Sequence, residues 1–401
     1  FREPNMKRLL LASTAGALLA TAATAQDAVN IGVIFGFTGP LESITPTMAN
    51  AAELALKEAS ESGLLPGGVT LNPVRADSTC IDAAAATTGA ERLVTSDQVA
   101  AIVGADCSGV TTAIANSVAI PNGVVMVSPS ATSPALSTIE DNGYFFRTAP
   151  SDARQGEVLA QVLGDRGVTE VAVTYTNNDY GKGLSDSFVQ SFTAGGGAVA
   201  INEPHEDGKG DYSAEVAALS ASGAQHLMVF GYVDQGGRGI IQAALDTGAF
   251  DSFFLADGMH GQSLIDAIGP ELDGKVVGTL PSVDNEGSAK WAEVASAAGI
   301  DPTGAFAGQS YDAAALIALA VAAAGSADRT AIRDHIMDVA NEPGEVILPG
   351  ELAKGLQILR DGGDVDYMGA TAVELIGPGE TAGSYMEYEI QDGGYATIGF
   401  R

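Results

Sequence analysis

The residues of this sequence that could do chemistry lie in five short loops, and none forms a catalytic signature by itself. Gly104-Ala105-Asp106-Cys107-Ser108-Gly109 and Ser128-Pro129-Ser130-Ala131-Thr132-Ser133-Pro134 are rich in hydroxyls. Each opens a helix, where the first backbone N–H groups have no intrahelical partner. Asn177-Asn178-Asp179-Tyr180-Gly181, Gly231-Tyr232-Val233-Asp234 and Ala256-Asp257-Gly258 add aromatic rings and a carboxylate. Taken singly, the serines and threonines could equally be helix caps and the tyrosines loop packing.

Other chemistries lack their residues. His205, His226, His260 and His335 are dispersed, with no pair at the i, i+3 or i+4 spacing of a helical metal site. Gly269 to Lys275 begins like a phosphate loop, but Pro270 sits inside it and Val276 replaces the Ser or Thr; it reads as a turn into a strand. Asp361-Gly-Gly-Asp364-Val-Asp366 lacks the mid-loop glycine and closing glutamate of an EF-hand and reads as a solvated turn. Gly-x-Ser-x-Gly is absent, so a hydrolase nucleophile has no support. No cofactor and no metal is called for.

The loops need elements to position them, and the chain supplies a repeated apolar strand, turn and helix. Val29 to Phe35 is a near-continuous apolar run, as a strand covered on both faces must be. Helix 48–62, strand 69–76, helix 83–95, strand 99–103, helix 110–119 and strand 123–127 follow. After Pro150 the pattern restarts with helix 154–166, strand 170–175, helix 182–194, strand 198–201, helix 213–222, strand 225–230, helix 237–247, strand 252–256, helix 262–268 and strand 275–279. Alternating β and α of this kind gives parallel sheets. Helices 309–324, 329–340 and 351–361 then need a sheet to cover, and the first lobe has an open face, so the chain crosses back near Leu280 and Pro281. The predicted fold class is α/β, two Rossmann-like lobes with parallel sheets. Ligands of such sheets bind beyond the carboxyl ends of the strands, where the five loops lie.

Composition agrees with two well-filled cores: 401 residues, 46% hydrophobic and 17% charged. A formal charge of −31 repels phosphate backbones, so nucleic acid is excluded as a partner. Met6-Lys7-Arg8, the apolar stretch Leu9 to Leu19 and Ala23-Thr24-Ala25 read as a secretory signal peptide cleaved after Ala25. The competing membrane anchor is opposed by Ser13, Thr14, Gly16 and Thr21, which break the apolar run, and by its end at a small-x-small cleavage pattern. The run Ala313 to Ala324 is too short to span a bilayer and reads as a buried helix. In an exported protein Cys80 and Cys107 are an even pair and are expected to be joined, the alternative being two separate buried thiols.

A family resemblance enters on the motifs Phe37-Thr38-Gly39-Pro40, Val103-Gly-Ala-Asp-Cys107-Ser108, Ser128-Pro-Ser130-Ala-Thr132-Ser-Pro134, Phe146-Arg147-Thr148, Asn178-Asp-Tyr180-Gly-Lys-Gly183, Gly231-Tyr232 and Tyr367-Met-Gly369-Ala370. In order and spacing these resemble the exported substrate-binding proteins of bacterial branched-chain amino acid ABC transporters, across essentially the whole mature chain. The resemblance implies a type I periplasmic-binding fold with three hinge crossings, near Thr148, Leu280 and Gly369. Residues 1–25 would then be leader, 26–147 with 281–368 one lobe, and 148–280 with 369–401 the other. It places the family's loop disulfide on Cys80 and Cys107. By motif, Ser108 and Thr132 would hold a ligand carboxylate, while the Ser130 carbonyl, Thr132 hydroxyl and Asp257 would meet an ammonium. Tyr180 and Tyr232 would close from the second lobe. One departure is Ile44, in Leu41-Glu42-Ser43-Ile44, where leucine-binding members carry an aromatic.

The resulting expectation is a monomeric periplasmic receptor, not an enzyme, that binds a hydrophobic amino acid and docks on a membrane ABC permease without inserting its mature chain. The alternatives are the same fold with an aromatic carboxylate or amide, and a secreted α/β enzyme.

Overall fold

The computed structural model describes residues 27–401, so the expected signal peptide and its cleavage after Ala25 lie outside the described residues. Two seven-stranded sheets organise the chain. The first runs, in spatial order, Leu375–Ile376, Glu380–Thr381, Phe145–Pro150, Val125–Ser128, Ala101–Gly104, Ala28–Phe35, Thr70–Asp77. The second runs Gly394–Phe400, Tyr385–Gln391, Val276–Pro281, Ser252–Leu255, His226–Phe230, Glu170–Thr176, Ala198–His205. All pairings among the inner strands are parallel. Antiparallel pairing enters only at one edge of each sheet, where the chain after Tyr367 adds a hairpin.

The inner strands are apolar because helices cover both faces: Ile31, Val33, Ile34 and Phe35 are wholly buried, as are Val125, Met126 and Val127. Helix Ala307–Ala324 has the length and apolarity of a membrane span, but 83% of it is buried inside the fold, and it packs on helix Thr45–Glu61. The buried residues include many alanines, Ala49, Ala52, Ala55 and Ala59 on one helix and Ala314, Ala315 and Ala318 on the other. Small side chains let two backbones come close, and adding methylenes there typically costs ~1 to 3 kcal/mol.

The chain passes between the sheets after Pro150, after Pro281 and between Thr381 and Tyr385. These passages are bonded to one another. The Thr148 hydroxyl donates to the Gln309 carbonyl (2.8 Å), the Gln309 amide to the Pro281 carbonyl (3.0 Å) and the Ser282 N–H to the Ser384 carbonyl (3.0 Å). Gly383 has φ +87°, and a Cβ on it would stand 2.3 Å from Pro150 Cβ, so only glycine fits where two passages touch.

The third crossing therefore differs from the expectation at Gly369. Tyr367, Ala370 and Thr371 are held by the buried carboxylate of Asp312, which accepts from the Tyr367 hydroxyl (2.8 Å), Ala370 N–H (2.8 Å) and Thr371 N–H (3.0 Å). That anchor keeps the segment on the first lobe until the hairpin Leu375–Ile376/Glu380–Thr381 has joined the first sheet. Nor is the acidic loop only a solvated turn: Val365–Tyr367 leaves it as a strand paired with Glu345–Ile347. Strand Phe145–Pro150, helix Glu286–Ala297 and the C-terminal hairpin are additions to the expected elements.

Cys80 and Cys107 are joined, with an S–S distance of 2.02 Å and a sequence separation of 27. Closing that loop stabilises the fold by ~3 to 4 kcal/mol on the chain-entropy account. Thiol titration of the denatured, unreduced protein should find no free cysteine, and reduction should lower its thermal midpoint. Two titratable thiols, or an unchanged midpoint, would contradict this.

Candidate functional site

On the first lobe the carboxyl ends of neighbouring strands are tied together by Asp106. Its buried carboxylate accepts from the Gly36 N–H (2.9 Å) and the Ser78 hydroxyl (2.7 Å), which follow strands Ala28–Phe35 and Thr70–Asp77. Burial raises its pKa, and the two donors oppose that rise. The backbone beyond Asp106 is fastened to the next loop: the Ser128 hydroxyl donates to the Ala105 carbonyl (2.6 Å), and the Ser130 hydroxyl to the Asp106 carbonyl (3.1 Å). Ser108 opens helix Ser108–Ile114, and its Oγ accepts from the Ser133 N–H at 3.1 Å. Sequence-predicted Ser108, Ser130 and Thr132 are thus brought to one rim. Ser108 and Thr132 are buried, Ser130 is half-buried, and the Thr132 hydroxyl lies beside the Asp152 carboxylate without a hydrogen bond of good geometry.

Arg147 holds this rim from beneath. It is 1% exposed, and all five of its N–H donors are committed: two to Glu380, one to the Ser137 hydroxyl (2.7 Å), and one each to the Ala131 and Ser133 carbonyls (both 3.0 Å). The carbonyls on either side of Thr132 are therefore drawn toward the guanidinium.

On the second lobe, Asn178 caps helix Asp179–Ala194 by accepting from the Gly181 N–H (3.1 Å), and its amide donates to the Tyr232 hydroxyl (3.3 Å). Tyr180 and Tyr232 stack with ring centroids 5.3 Å apart. The Tyr180 hydroxyl donates to Asp257 Oδ1 at 2.7 Å, and the Gly258 N–H donates to the same oxygen at 2.7 Å. A Cβ on Gly258 would lie 2.6 Å from the Gly231 carbonyl oxygen and 2.9 Å from the Tyr180 hydroxyl, so a side chain there would displace this cluster. Tyr180, Tyr232 and Asp257 are all buried.

The first turn of helix Asp152–Asp165 joins the two rims. The Asp152 N–H donates to the Thr132 carbonyl at 2.8 Å. With its amide oriented to satisfy both ends, Gln155 donates to Asp257 Oδ2 (3.2 Å) and accepts from the Asp257 N–H (3.3 Å) and the Thr279 hydroxyl (3.2 Å). Asp257 is therefore bound by neutral donors on both oxygens. Burial pushes its carboxyl up to about 6 despite them. The lobes meet around this cleft. Asp234 of the second lobe donates its N–H to the Pro40 carbonyl (3.1 Å) and accepts from the Ser43 N–H (2.9 Å) and the Ser263 hydroxyl (2.7 Å). Ile44 is buried at the same boundary, its Cγ2 3.3 Å from where a Cβ on Gly261 would stand.

All six sequence-predicted site residues thus line one boundary between the lobes. Those missed are Asp152, Gln155, Arg147 in its bonding role, and the Ser43–Asp234 bridge. A Ser-Asp-x-x-Gln opening immediately after a lobe crossing is the signal that could have found the first two. A recess of about 470 Å³ on the outer face of the second lobe, lined by Ala160, Val168 and Phe192, lies away from all of these residues.

The Asp234 bridge generates a prediction. Partly exposed hydrogen bonds to a carboxylate contribute about 1 kcal/mol, or roughly fivefold in an open–closed equilibrium. Asp234→Ala should therefore give a larger radius of gyration by small-angle scattering than the unsubstituted protein. An identical radius would show that the bridge does not hold the lobes together.

Residues 28–349 match the periplasmic binding protein family. Curated relatives include a Leu/Ile/Val-binding protein homolog of Brucella melitensis, 30% identical over 82% of this chain and 87% of its own. A leucine-, isoleucine-, valine-, threonine- and alanine-binding protein of Pseudomonas aeruginosa is 29% identical over 80% of this chain and 84% of its own. Among solved structures, a leucine binding protein from Thermotoga maritima aligns with TM-score 0.76 at 23% identity, covering 93% of this chain and 98% of that one. A solute-binding protein of R. palustris in complex with 4-hydroxybenzoate aligns with TM-score 0.73 at 20% identity, covering 94% and 97%. The extent of these matches, together with two α/β lobes meeting over a polar cleft, establishes that the chain belongs to the periplasmic binding protein family, whose members bind solutes rather than transform them.

Proposed function

We propose that this chain is the periplasmic receptor of an ABC importer and closes its lobes on a small hydrophobic amino acid of the branched-chain type. The observation that carries the ligand class is Asp257, a buried carboxylate bonded only to neutral donors in a cleft rimmed by hydroxyls. A carboxylate in a dry site gains most from a cation that brings its own hydrogen bonds, and an ammonium does so. In this reading the ligand ammonium meets Asp257, the Ser130 carbonyl and the Thr132 hydroxyl. Its carboxylate takes the Ser108 hydroxyl and the donor capacity of Thr132. The Tyr180–Tyr232 stack covers the ligand from the second lobe, with Ile44 at the boundary where the aliphatic side chain would lie. The names of the Brucella and Pseudomonas relatives support the same class.

Transport follows from the hinge. A ligand that bridges Ser108 and Thr132 on one lobe to Asp257 on the other has contacts in the closed state that it lacks in the open one, so it shifts the population toward closure. The closed form, a monomer, is the one presented to a membrane permease, which reopens it.

Calorimetry with leucine and with 4-methylpentanoate, its deaminated analogue, tests the reading. A charge-assisted pair is worth ~1.5 to 3 kcal/mol, so the unsubstituted protein should prefer leucine by roughly 10 to 150-fold, and Asp257→Ala should lose most of that preference. Binding of 4-hydroxybenzoate but of no aliphatic amino acid would replace this ligand class with the aromatic acids. Equal leucine affinity in Asp257→Ala would reduce Asp257 to a turn residue.

A further inference from the structure

We propose that Asp152 is a second carboxylate of the amine site, acting with Asp257 on one ammonium group and coupling ligand uptake to proton release. The inference rests on the amino-acid reading of the cleft and adds to it a residue and a linkage.

Asp152 is wholly buried, and its Oδ2 makes no hydrogen bond of good geometry; the neutral Thr132 hydroxyl is the side-chain donor near enough to ease its ionisation. Its backbone is fixed beside the ligand rim, because its N–H donates to the Thr132 carbonyl at 2.8 Å. One turn along the same helix face, Gln155 touches the Asp257 carboxylate at 3.2 Å. Thr132, on the loop so joined to Asp152, sets its hydroxyl beside that carboxylate, with no other hydrogen-bond partner for its Oγ1. A wholly buried acid with an unpartnered oxygen costs several kcal/mol unless it is protonated or meets a cation.

Among the described residues none supplies a cation for this oxygen. Arg147 is the base whose charge favours ionisation of Asp152, but its five donors are spent on Glu380, Ser137 and the Ala131 and Ser133 carbonyls. The other groups facing the acid are Asp257 from the loop after Ser252–Leu255, Tyr180 from helix Asp179–Ala194, Tyr232 from the loop after His226–Phe230, and Tyr385 from strand Tyr385–Gln391. None is positive. Burial first, and the charge of Asp257 second, raise the Asp152 carboxyl well above its usual range, against the smaller opposing effects of the Thr132 hydroxyl and the Arg147 charge.

Two buried acids that oppose each other's ionisation retain protons until an ammonium enters between them. Ligand binding then lowers both pKa values and expels protons. The sign follows: the free cleft holds protons that the liganded cleft does not, so affinity is greatest above the free-state pKa values and falls as pH drops through them. For Asp257 that window centres on about 6.

Leucine titrations in buffers of low and high ionisation enthalpy, on the unsubstituted protein and on Asp152→Asn, test this. Asp152→Asn should lose about tenfold or more in leucine affinity, bind 4-methylpentanoate at least as well as before, and release fewer protons per leucine. The unsubstituted protein provides an independent reading should the variant fold poorly: near about pH 5.5, more than one proton should leave per leucine if two acids ionise together. One proton or fewer overturns the proposal. So does an Asp152→Asn variant with native preference and proton count, while the amino-acid reading stands. A native protein that binds no aliphatic amino acid overturns both.

Discussion

The organising constraint of this molecule is a carboxylate held away from water with no cation bonded to it among the described residues. Asp257 takes its hydrogen bonds from Tyr180, Gly258 and Gln155, all neutral. Neutral donors ease the cost of burial without cancelling it, as the carboxyl's rise to about 6 shows. In the proposed reading, such a site is tolerated in a closed cleft because the missing charge arrives with the ligand. Specificity for an amine, closure of the lobes and the need for water exclusion then become aspects of one electrostatic requirement.

The fold meets that requirement by rigid placement. Parallel strands deliver their following loops to one end of each sheet, and two sheets facing across a hinge bring five loops together. Asp106, Arg147 and the Cys80–Cys107 disulfide fasten the first-lobe loops, so the serine and threonine hydroxyls are fixed before a ligand arrives. On the other lobe Asn178 orients Tyr232, while Tyr180 is held between the ring of Tyr232 and the carboxylate of Asp257. The three chain passages touch at Thr148, Pro281 and Gly383, which gives the lobes a common pivot.

Much of this was legible in the sequence, for a physical reason. A strand buried on both faces must be continuously apolar, so the inner strands announce themselves, and their order locates the loops. What escaped detection is what depends on distant partners. Strand Phe145–Pro150 is interrupted by Arg147, whose burial makes sense only once Glu380 is beside it. Helix Glu286–Ala297 buries Gly287, Trp291 and Ala295, two of which leave no mark on an apolar pattern. Gly369 looked like a hinge because nothing in the sequence shows that Asp312, far away along the chain, grips the residues around it. Asp152 follows a helix-capping serine and reads locally as an ordinary first-turn acid. Only its bond to the Thr132 carbonyl and its complete burial beside Asp257 set it apart.

The most direct test of the central claim is a crystal structure of the protein with leucine bound. The account predicts the leucine nitrogen within about 3 Å of an Asp257 oxygen, with the leucine carboxylate at Ser108 and Thr132. Leucine bound in the reverse orientation, seated elsewhere, or absent from the cleft at saturating concentration would contradict it.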